Sequence, residues 1–441
     1  MTRAPHRPAV GRWCTGSRAL EARAVSAGCG PETPRVEAGA RGQNPARDGP
    51  GAELKDRRKV RHTGVPRWLA CGDGLAGPHG AGRRPPAGQP GRRHLLRRSP
   101  LRVVTVLPGD GIGPEVVEAT LSTLDALDAP LSFDVLDHVN ASAYRRSGHA
   151  LTDGDLARIT SGSAVLLGAF GDPALEDTDY VRSVLLRLRL EFDLYANYRP
   201  ARLWQDRLSP LRDPSKRAVD CVIVRENTEG LYSGVGGALR AATPWETAVD
   251  ADISTYHGVS RIIDFAFSVA AEKVCMVDKA NAVRSGGSLW QRCWREAAER
   301  HPDKRASHLY VDTAAMKLVT DPTEFEVVVT NNSYGDILSD LTAALAGGLG
   351  LAASASLNPE TGFGLYEPVH GTAPDIAGKG IANPLATVLT AALLYERLEL
   401  TAEADALRRA VTAAIAKGRV TPDLGGDLST REAAAAVRAE L

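Results

Sequence analysis

Two aspartates, Asp336 and Asp340, lie four residues apart in a segment that follows an apolar run and begins a predicted helix. This spacing puts both carboxylates on one helix face, where their like charges repel unless a cation lies between them. Ligands that are only oxygen suit Mg²⁺ or Mn²⁺. A solvated acidic face is the alternative, but Ile337, Leu338 and Leu341 predict a half-buried helix. The pair is therefore a candidate metal site.

Three other side chains have types that suit chemistry at such a site, although their spacing alone does not place them in it. Asp312 follows the apolar run 309–311 and is either a third carboxylate ligand or a helix N-cap. Tyr232 and Lys279 are candidate proton-transfer groups.

Three arginines are candidates for binding a dicarboxylate. Arg189 and Arg199 flank residues 190–198, and Arg225 ends the apolar run 221–224. Guanidinium groups bind carboxylates through two parallel hydrogen bonds, so three converging arginines would suit two carboxylates. Taken singly, each of the three is better explained as a surface residue.

Two glycine-rich segments could bind a nucleotide. Residues 109–115 read GDGIGPE, which is G-x-G-x-G and differs from the Rossmann pattern G-x-G-x-x-G. A tight turn into a helix is the alternative for this segment. Residues 370–384 form a loop rich in Gly and Pro with few charges, which is either a plain connection or a binding loop.

Short apolar runs separated by helical spacing indicate the elements that would position these residues. A run at 103–107 ends in Pro-Gly and is followed by helical spacing over 115–127. Similar runs recur at 164–167, 221–224, 274–277, 309–311 and 326–330. Strands that alternate with helices predict α/β architecture.

The bulk composition excludes several classes of function. Lys+Arg and Asp+Glu both number 53, so the formal net charge is zero and favours neither nucleic acid nor a membrane surface as partner. No apolar run is long enough for a transmembrane helix. The six cysteines form no C-x-x-C pair, which favours a reducing cytoplasm over a disulfide framework or a zinc site.

Residues 1–100 differ from the rest of the chain. They are crowded with Arg, Pro and Gly and lack a sustained period of 2 or 3.6 residues, which predicts disorder. Arg far outnumbers Lys in the chain, as in a GC-rich gene. A second hypothesis is therefore that much of this extension is not translated and that the protein starts near Leu101 or Val103.

Six collinear sequence strings between residues 102 and 441 resemble the β-decarboxylating dehydrogenases that act on isopropylmalate, isocitrate, homoisocitrate or tartrate. The strings are LPGDGIGPE at 107–115, DLYANYRP at 193–200, VRENTEGLY at 224–232, DKAN at 278–281, YGDILSD at 334–340 and EPVHGTAPD at 367–375. The resemblance implies a non-Rossmann α/β fold of two domains. Residues 101–195 and 348–441 would form the cofactor-side domain, and residues 196–347 an inserted dimerisation domain.

The resemblance also implies roles for individual residues. Metal ligands would be Asp312, Asp336 and Asp340. The substrate would contact Arg189, Arg199, Arg225, Asp312, Leu185 and Leu186. Tyr232 and Lys279 would be the catalytic pair. Cofactor contacts would be Asn281, Glu367, His370, Gly371, Asp375 and Asn383. The family further implies a homodimer in which Lys279, Asn281 and Asp312 serve the partner's site. Because all these groups are present, a non-catalytic regulatory homologue is not expected.

Two features of the sequence bear on the identity of the substrate and of the cofactor. Leu185 and Leu186 precede Arg189 and would suit an isopropyl group, so 3-isopropylmalate is the expected substrate. Homoisocitrate, isocitrate and tartrate remain alternatives, because residues 225–230 resemble those branches equally and Arg182 could meet a polar substituent. An acidic residue at position 375 would bind the adenosine ribose, which implies NAD rather than NADP.

Overall fold

The structure is a computed structural model that describes residues 101–176 and 178–441. The disorder and the alternative start predicted for residues 1–100 concern a segment outside the described residues. Within the described part of the chain the fold is α/β, as predicted.

The described strands form a ten-stranded mixed sheet and a separate two-stranded hairpin. Along the large sheet the order is β2-β1-β3-β12-β11-β4-β5-β10-β8-β9, and β6 pairs with β7. The strands are β1 (Arg102–Gly109), β2 (Leu131–Val135), β3 (Ala164–Ala169), β4 (Ala196–Arg202), β5 (Asp220–Glu226), β6 (Gly236–Leu239), β7 (Thr247–Asp250), β8 (Lys273–Asp278), β9 (Arg305–Tyr310), β10 (Val327–Thr330), β11 (Ala353–Leu357) and β12 (Gly364–Pro368).

Helices cover both faces of the sheet, and a single π-helical turn, Arg182–Leu186, leads into one of them. The helices are α1 (Gly113–Leu124), α2 (Ala141–Ser147), α3 (Asp153–Ser161), α4 (Arg187–Glu191), α5 (Tyr256–Val269), α6 (Arg284–Arg300), α7 (Val311–Thr320), α8 (Asn332–Leu345), α9 (Leu385–Arg397), α10 (Thr401–Ala416) and α11 (Thr430–Arg438).

The apolar runs become strands because both of their faces are covered. Every residue of β3 and of β10 is buried, as expected for parallel strands between two helical layers. The runs predicted at 103–107, 164–167, 221–224 and 274–277 all lie within strands. The run 309–311 is only partly a strand, because β9 ends at Tyr310 and α7 begins at Val311.

The centre of the sheet is antiparallel and joins two parallel sets of strands. β4 is antiparallel to β5 and to β11, and β11 is also antiparallel to β12. The remaining ladders of the large sheet are parallel. Strands from residues 101–195 and 348–441 therefore share one continuous sheet with strands from 196–347, and the division into two domains stays a prediction. In the described part of the chain, no helix is both long and apolar enough to span a membrane.

Candidate active site

Two buried arginines converge on one aspartate beside the sheet. Arg199 Nη1 lies 3.3 Å and Arg225 Nη1 lies 2.5 Å from Asp336 Oδ1. Burial, and then the positive charge of Arg199, lower the pKa of Arg225 to about 9. Arg189 is close enough to act in the same direction on the pKa of both arginines. The three arginines predicted from the sequence thus form one electrostatic cluster, which a bound anion would stabilise.

Helix α8 carries the partners of these arginines on a single face. Asn331 caps the helix through the Tyr334 backbone N–H, so α8 begins directly after β10. Asn332 Oδ1 accepts hydrogen bonds from Nε and Nη2 of Arg225, at 3.0 and 2.7 Å. Ser339 Oγ accepts one from Arg199 Nη1 at 2.8 Å. The sequence prediction missed both side chains, although their spacing from Asp336 places them on its helix face.

The predicted metal ligands lie in two places within one chain. Asp336 and Asp340 are one turn apart on α8, and burial raises the pKa of Asp340 above its usual range. Asp312 lies in the first turn of α7, where its hydrogen bond with Lys279 Nζ, 2.7 Å long, holds its pKa below the usual range. Asp312 is therefore not the N-cap of α7, a position that Tyr310 occupies. Ile337, predicted to be half-buried, is 64% exposed.

Carboxylates of this kind fit part of the oxygen shell of Mg²⁺ or Mn²⁺. Within residues 101–176 and 178–441, however, no three His, Cys, Asp or Glu side chains come together as a metal-binding group. Asp336 and Asp340 alone would leave a cation short of protein ligands. A third carboxylate would have to come from outside this chain's own cluster.

The two proposed proton-transfer groups also lie apart. Tyr232 OH is 3.5 Å from Asp336 Oδ2, and its ring centre is 5.7 Å from the Arg225 guanidinium carbon. Burial and the Asp336 charge raise the pKa of Tyr232, so its phenol keeps its proton at neutral pH. Lys279 follows β8 and bonds to Asp312. Among the described contacts, neither Lys279 nor Asp312 has a hydrogen bond to the arginine cluster.

The π-helical turn carries the side chains expected to contact the substrate's substituent. Leu185 and Leu186 are both half-buried there, ahead of Arg189 in α4. Arg182 begins the same turn, and a Cβ added to Gly234 would lie 2.1 Å from Arg182 Nη2. Arg182 therefore packs against the backbone two residues after Tyr232. Single π-helical turns occur frequently at functional sites.

The two glycine-rich loops pack on each other beside a cleft of about 420 Å³ lined in part by Gly109, Asp110, Gly111 and Gly171. Ile112 N donates to Thr372 O over 2.9 Å, and a Cβ on Gly111 would come within 2.1 Å of the same oxygen. Residues 109–115 are thus a tight turn into α1 that supports the loop 370–384.

The predicted cofactor-binding residues have different environments. Burial lowers the pKa of His370, and its Nε2 is buried without a hydrogen-bond partner, which fits a polar ligand atom beside it. Asn383 donates to Asp423 Oδ2, 2.9 Å away, and its own oxygen accepts from the Leu385 backbone N–H at the start of α9. Gly371, Asp375 and Asn281 are exposed.

Glu367 accepts a hydrogen bond from Arg189 Nη2 at 3.0 Å. This residue, predicted to bind the cofactor, therefore bonds to an arginine of the predicted substrate site, 178 positions away in the chain. The ion pair brings the predicted substrate and cofactor regions into contact. No spacing rule relates the two positions, so this contact could not have been predicted.

The sequence matches the isocitrate/isopropylmalate dehydrogenase family over residues 103–437. The chain belongs to this family of β-decarboxylating dehydrogenases. A 3-isopropylmalate dehydrogenase from Beutenbergia cavernae is 44% identical over 342 residues, which cover 75% of this chain and 98% of that protein. The protein of the same name from Leifsonia xyli subsp. xyli is 45% identical, over 71% of this chain and 90% of its own length.

Solved structures show the same fold. The crystal structure of an isocitrate dehydrogenase from Methylococcus capsulatus superposes with a TM-score of 0.71 at 37% identity, covering 77% of this chain and 99% of that chain. A β-decarboxylating dehydrogenase from Thermococcus kodakarensis gives 0.64 at 34% identity, covering 77% and 96% of the two chains.

Proposed function

We propose that the protein oxidises and decarboxylates 3-isopropylmalate in leucine biosynthesis, with NAD⁺ as hydride acceptor and Mg²⁺ or Mn²⁺ as metal ion. The observation that carries this proposal is the cluster of Arg189, Arg199 and Arg225, which lies next to the turn that holds Leu185 and Leu186. Such a cluster suits a dicarboxylate with an apolar substituent. The names of the relatives from Beutenbergia cavernae and Leifsonia xyli support the same substrate.

Binding of the two carboxylates follows from the charges of the cluster. Arg199 and Arg225 are buried and both pair with Asp336, and Arg199 Nη1 is also 3.9 Å from Asp340 Oδ1. At 4 Å and an effective dielectric constant near 20, each further charge pair is worth about 4 kcal/mol before desolvation. With Asp336 and Asp340 engaged by a metal ion, a malate dianion would provide the negative charge that faces the guanidinium groups. Asn332 and Ser339 would keep the guanidinium groups in place meanwhile.

Two side chains of this chain would handle protons. Lys279 would accept the proton of the C2 hydroxyl, directly or through a water molecule. Asp336 and Asp340, with a third carboxylate such as Asp312, would hold the metal ion, which would supply Lewis acidity for the C2 oxygen, and NAD⁺ would supply the hydride acceptor. The bond from C3 to its carboxylate then breaks and CO₂ leaves. Tyr232 would donate its proton to C3, in keeping with the raised pKa of its phenol.

A homodimer with shared sites is part of the proposal. Lys279 and Asp312 bond to each other and not to the arginine cluster of their own chain, among the contacts described. If they, with Asn281, serve the partner's site, each site gains its base and a third carboxylate. A cytoplasmic location is also proposed, since Cys221, Cys275 and Cys293 are free buried thiols.

Another 3-substituted malate or tartrate is the second candidate, because Arg182 packs beside the Tyr232 turn and could meet a polar substituent. Steady-state assays with isopropylmalate, homoisocitrate, isocitrate and tartrate decide between them. We expect the highest kcat/KM for isopropylmalate. A higher value for any other substrate would refute the assignment.

A further inference from the structure

A buried aspartate immediately before Lys279 is held by side chains from two other elements. Asp278, the last residue of β8, is only 4% exposed. Its Oδ1 lies 2.8 Å from His308 Nε2 of β9, and its Oδ2 accepts from Gln291 Nε2 of α6 over 2.7 Å. Its Oδ1 also accepts from the Ala280 backbone N–H at 3.2 Å. A buried carboxylate needs such partners, because leaving it unpaired is costly.

The chemistry of the groups fixes the direction of these bonds. A carboxylate only accepts, so the facing nitrogen of His308 carries a hydrogen and the Gln291 amide presents its NH₂. The two nitrogens are also in contact with each other, 2.9 Å apart. Asp278, His308 and Gln291 therefore form one cluster, here called the Asp278 cluster, in which all three orientations depend on each other.

The Asp278 cluster fixes the backbone that carries Lys279. Helix α6 approaches the turn after β8 so closely that a Cβ on Gly287 would lie 2.4 Å from Ala280 Cα. The Lys279 carbonyl accepts backbone hydrogen bonds from Ala282 and Val283 at 2.9 and 2.8 Å. The turn is therefore tied to β8, to α6 and, through His308, to β9.

The same cluster also fixes the surroundings of the Lys279 ammonium. His308 and Tyr310 are two residues apart on β9, so they share one face, and their rings meet edge to face with centroids 5.2 Å apart. The Tyr310 ring centre is 5.7 Å from Lys279 Nζ, and Asp312 follows two residues later. In the described sheet β9 is an edge strand, paired only with β8. The His308–Asp278 bond thus anchors the strand that carries Tyr310 and leads directly into α7, where Asp312 lies.

We propose that His308 and Gln291 are positioning residues for Lys279: by orienting Asp278 they hold the lysine, and the Asp312 that bonds to it, at the place required for proton transfer. The inference rests on the proposed role of Lys279 as proton acceptor. Misplacing a reacting group by about 1 Å can slow a reaction about 100-fold. Loss of the cluster should therefore reduce kcat far more than it changes KM.

A second histidine–aspartate pair offers a matched control. His138 Nε2 lies 2.9 Å from Asp155 Oδ1, and Asp155 is 5% exposed, much like Asp278. This pair ties α3 to the segment after β2 and has no bond to Lys279 or to the arginine cluster among the described contacts. His138→Ala therefore removes the same kind of interaction without moving Lys279.

The test compares the full-length wild type with His308→Ala, His308→Gln, Gln291→Leu, His138→Ala and Lys279→Ala. For each protein, kcat and KM for isopropylmalate, the deuterium isotope effect on kcat with 2-deuterated substrate, and the melting temperature are measured. We expect His308→Ala to lower kcat about 10- to 100-fold with KM changed less than 3-fold, and to raise the isotope effect as the chemical steps become limiting. His308→Gln, which keeps a donor for Asp278, should recover most of the loss.

Gln291→Leu removes the side-chain amide and with it one donor to Asp278, so it tests the inference if His308→Ala does not fold. The positioning role is refuted if both variants keep kcat within 2-fold of wild type, or if His138→Ala lowers kcat equally. A lower kcat with an unchanged isotope effect would indicate only that a smaller fraction of the protein is folded, and this result would also refute the positioning role. Failure of the proposed function is distinct, because then wild type would not turn over isopropylmalate or Lys279→Ala would remain fully active.

Discussion

Replacing Asp375 by lysine should move the cofactor preference from NAD toward NADP. The carboxylate is exposed, and its loop is fixed by the bonds Ile112 N to Thr372 O and Ile376 N to Ala373 O. Two unit charges 4 Å apart repel by about 1 kcal/mol in water and about 4 kcal/mol at an effective dielectric constant of 20. Exposure puts Asp375 nearer the lower value per charge, but a phosphate carries up to about two negative charges.

The repulsion between Asp375 and a 2′-phosphate then amounts to about 2 to 4 kcal/mol, and 2.8 kcal/mol corresponds to about 100-fold. We therefore expect wild type to prefer NAD about 100-fold in kcat/KM. Asp375→Asn should remove most of this preference, and Asp375→Lys should bring NADP to at least equal use. Because the charges are exposed, the preference should weaken as salt is added.

The assay is kcat/KM for both cofactors at two ionic strengths. Asp128→Lys is the matched control, since it makes the same charge change at an exposed site beyond the C-terminal end of α1, a helix about 18 Å long whose N-terminal end contacts the loop. Wild type that uses NADP as well as NAD, or an Asp375→Lys variant with unchanged preference, would contradict the electrostatic reasoning.

Three further predictions follow from the site. Treatment with EDTA should abolish activity and Mg²⁺ or Mn²⁺ should restore it, with Asp336→Asn needing more metal; full activity of metal-free protein contradicts this. Mixing inactive Lys279→Ala with inactive Tyr232→Phe under subunit exchange should restore activity, because one site per heterodimer regains both groups; proven exchange without recovery speaks against shared sites. Burial lowers the pKa of His370, so the folded state binds fewer protons than the unfolded state. The contribution of neutral His370 to the free energy of unfolding is therefore present above about pH 6.5 and should be lost as the pH falls below that value. Melting temperatures of wild type and His370→Asn at pH 7.5 and 5.5 test this, and an equal decrease in both proteins would remove His370 as the cause.

The sequence predicts those strands and helices whose pattern of apolar and polar side chains matches their burial in the fold. β3 and β10 are continuous apolar runs because helices cover both faces. β11 reads Ala-Ser-Ala-Ser-Leu and is missed, since it is fully buried yet half polar. Its serines are matched by Asn197 of β4, whose Nδ2 donates to Ser354 and Ser356 at 3.0 and 3.1 Å. Hydrogen bonds between buried polar side chains on two strands that are far apart in the sequence cannot be recognised from the residue pattern of either strand alone.

For the site, the sequence predicts which residues share a face of one helix, but it does not predict which residues of different elements come into contact. The interval between Asp336 and Asp340 predicts a shared face, which α8 provides. The same rule, applied further, would have found Asn332 and Ser339. The pairing of Arg189 with Glu367 joins α4 to β12 across 178 positions of the chain, and only the fold brings them together. Roles for Tyr232 and Lys279 came from the family resemblance and not from spacing.

The position of β12 between β3 and β11 has a consequence for the folding of the chain during its synthesis on the ribosome. β3 ends at Ala169 and its partner β12 begins at Gly364, so nearly 200 residues separate the two strands in the chain. At about 5 to 20 residues per second, a ribosome needs roughly 10 to 40 s to make them. During that time the nascent chain exposes one edge of an entirely apolar strand, and such an edge can pair with other chains. The half of the sheet that contains β1–β3 thus cannot complete its folding co-translationally until β12 emerges, and this interval is when a chaperone that shields strand edges would raise the yield.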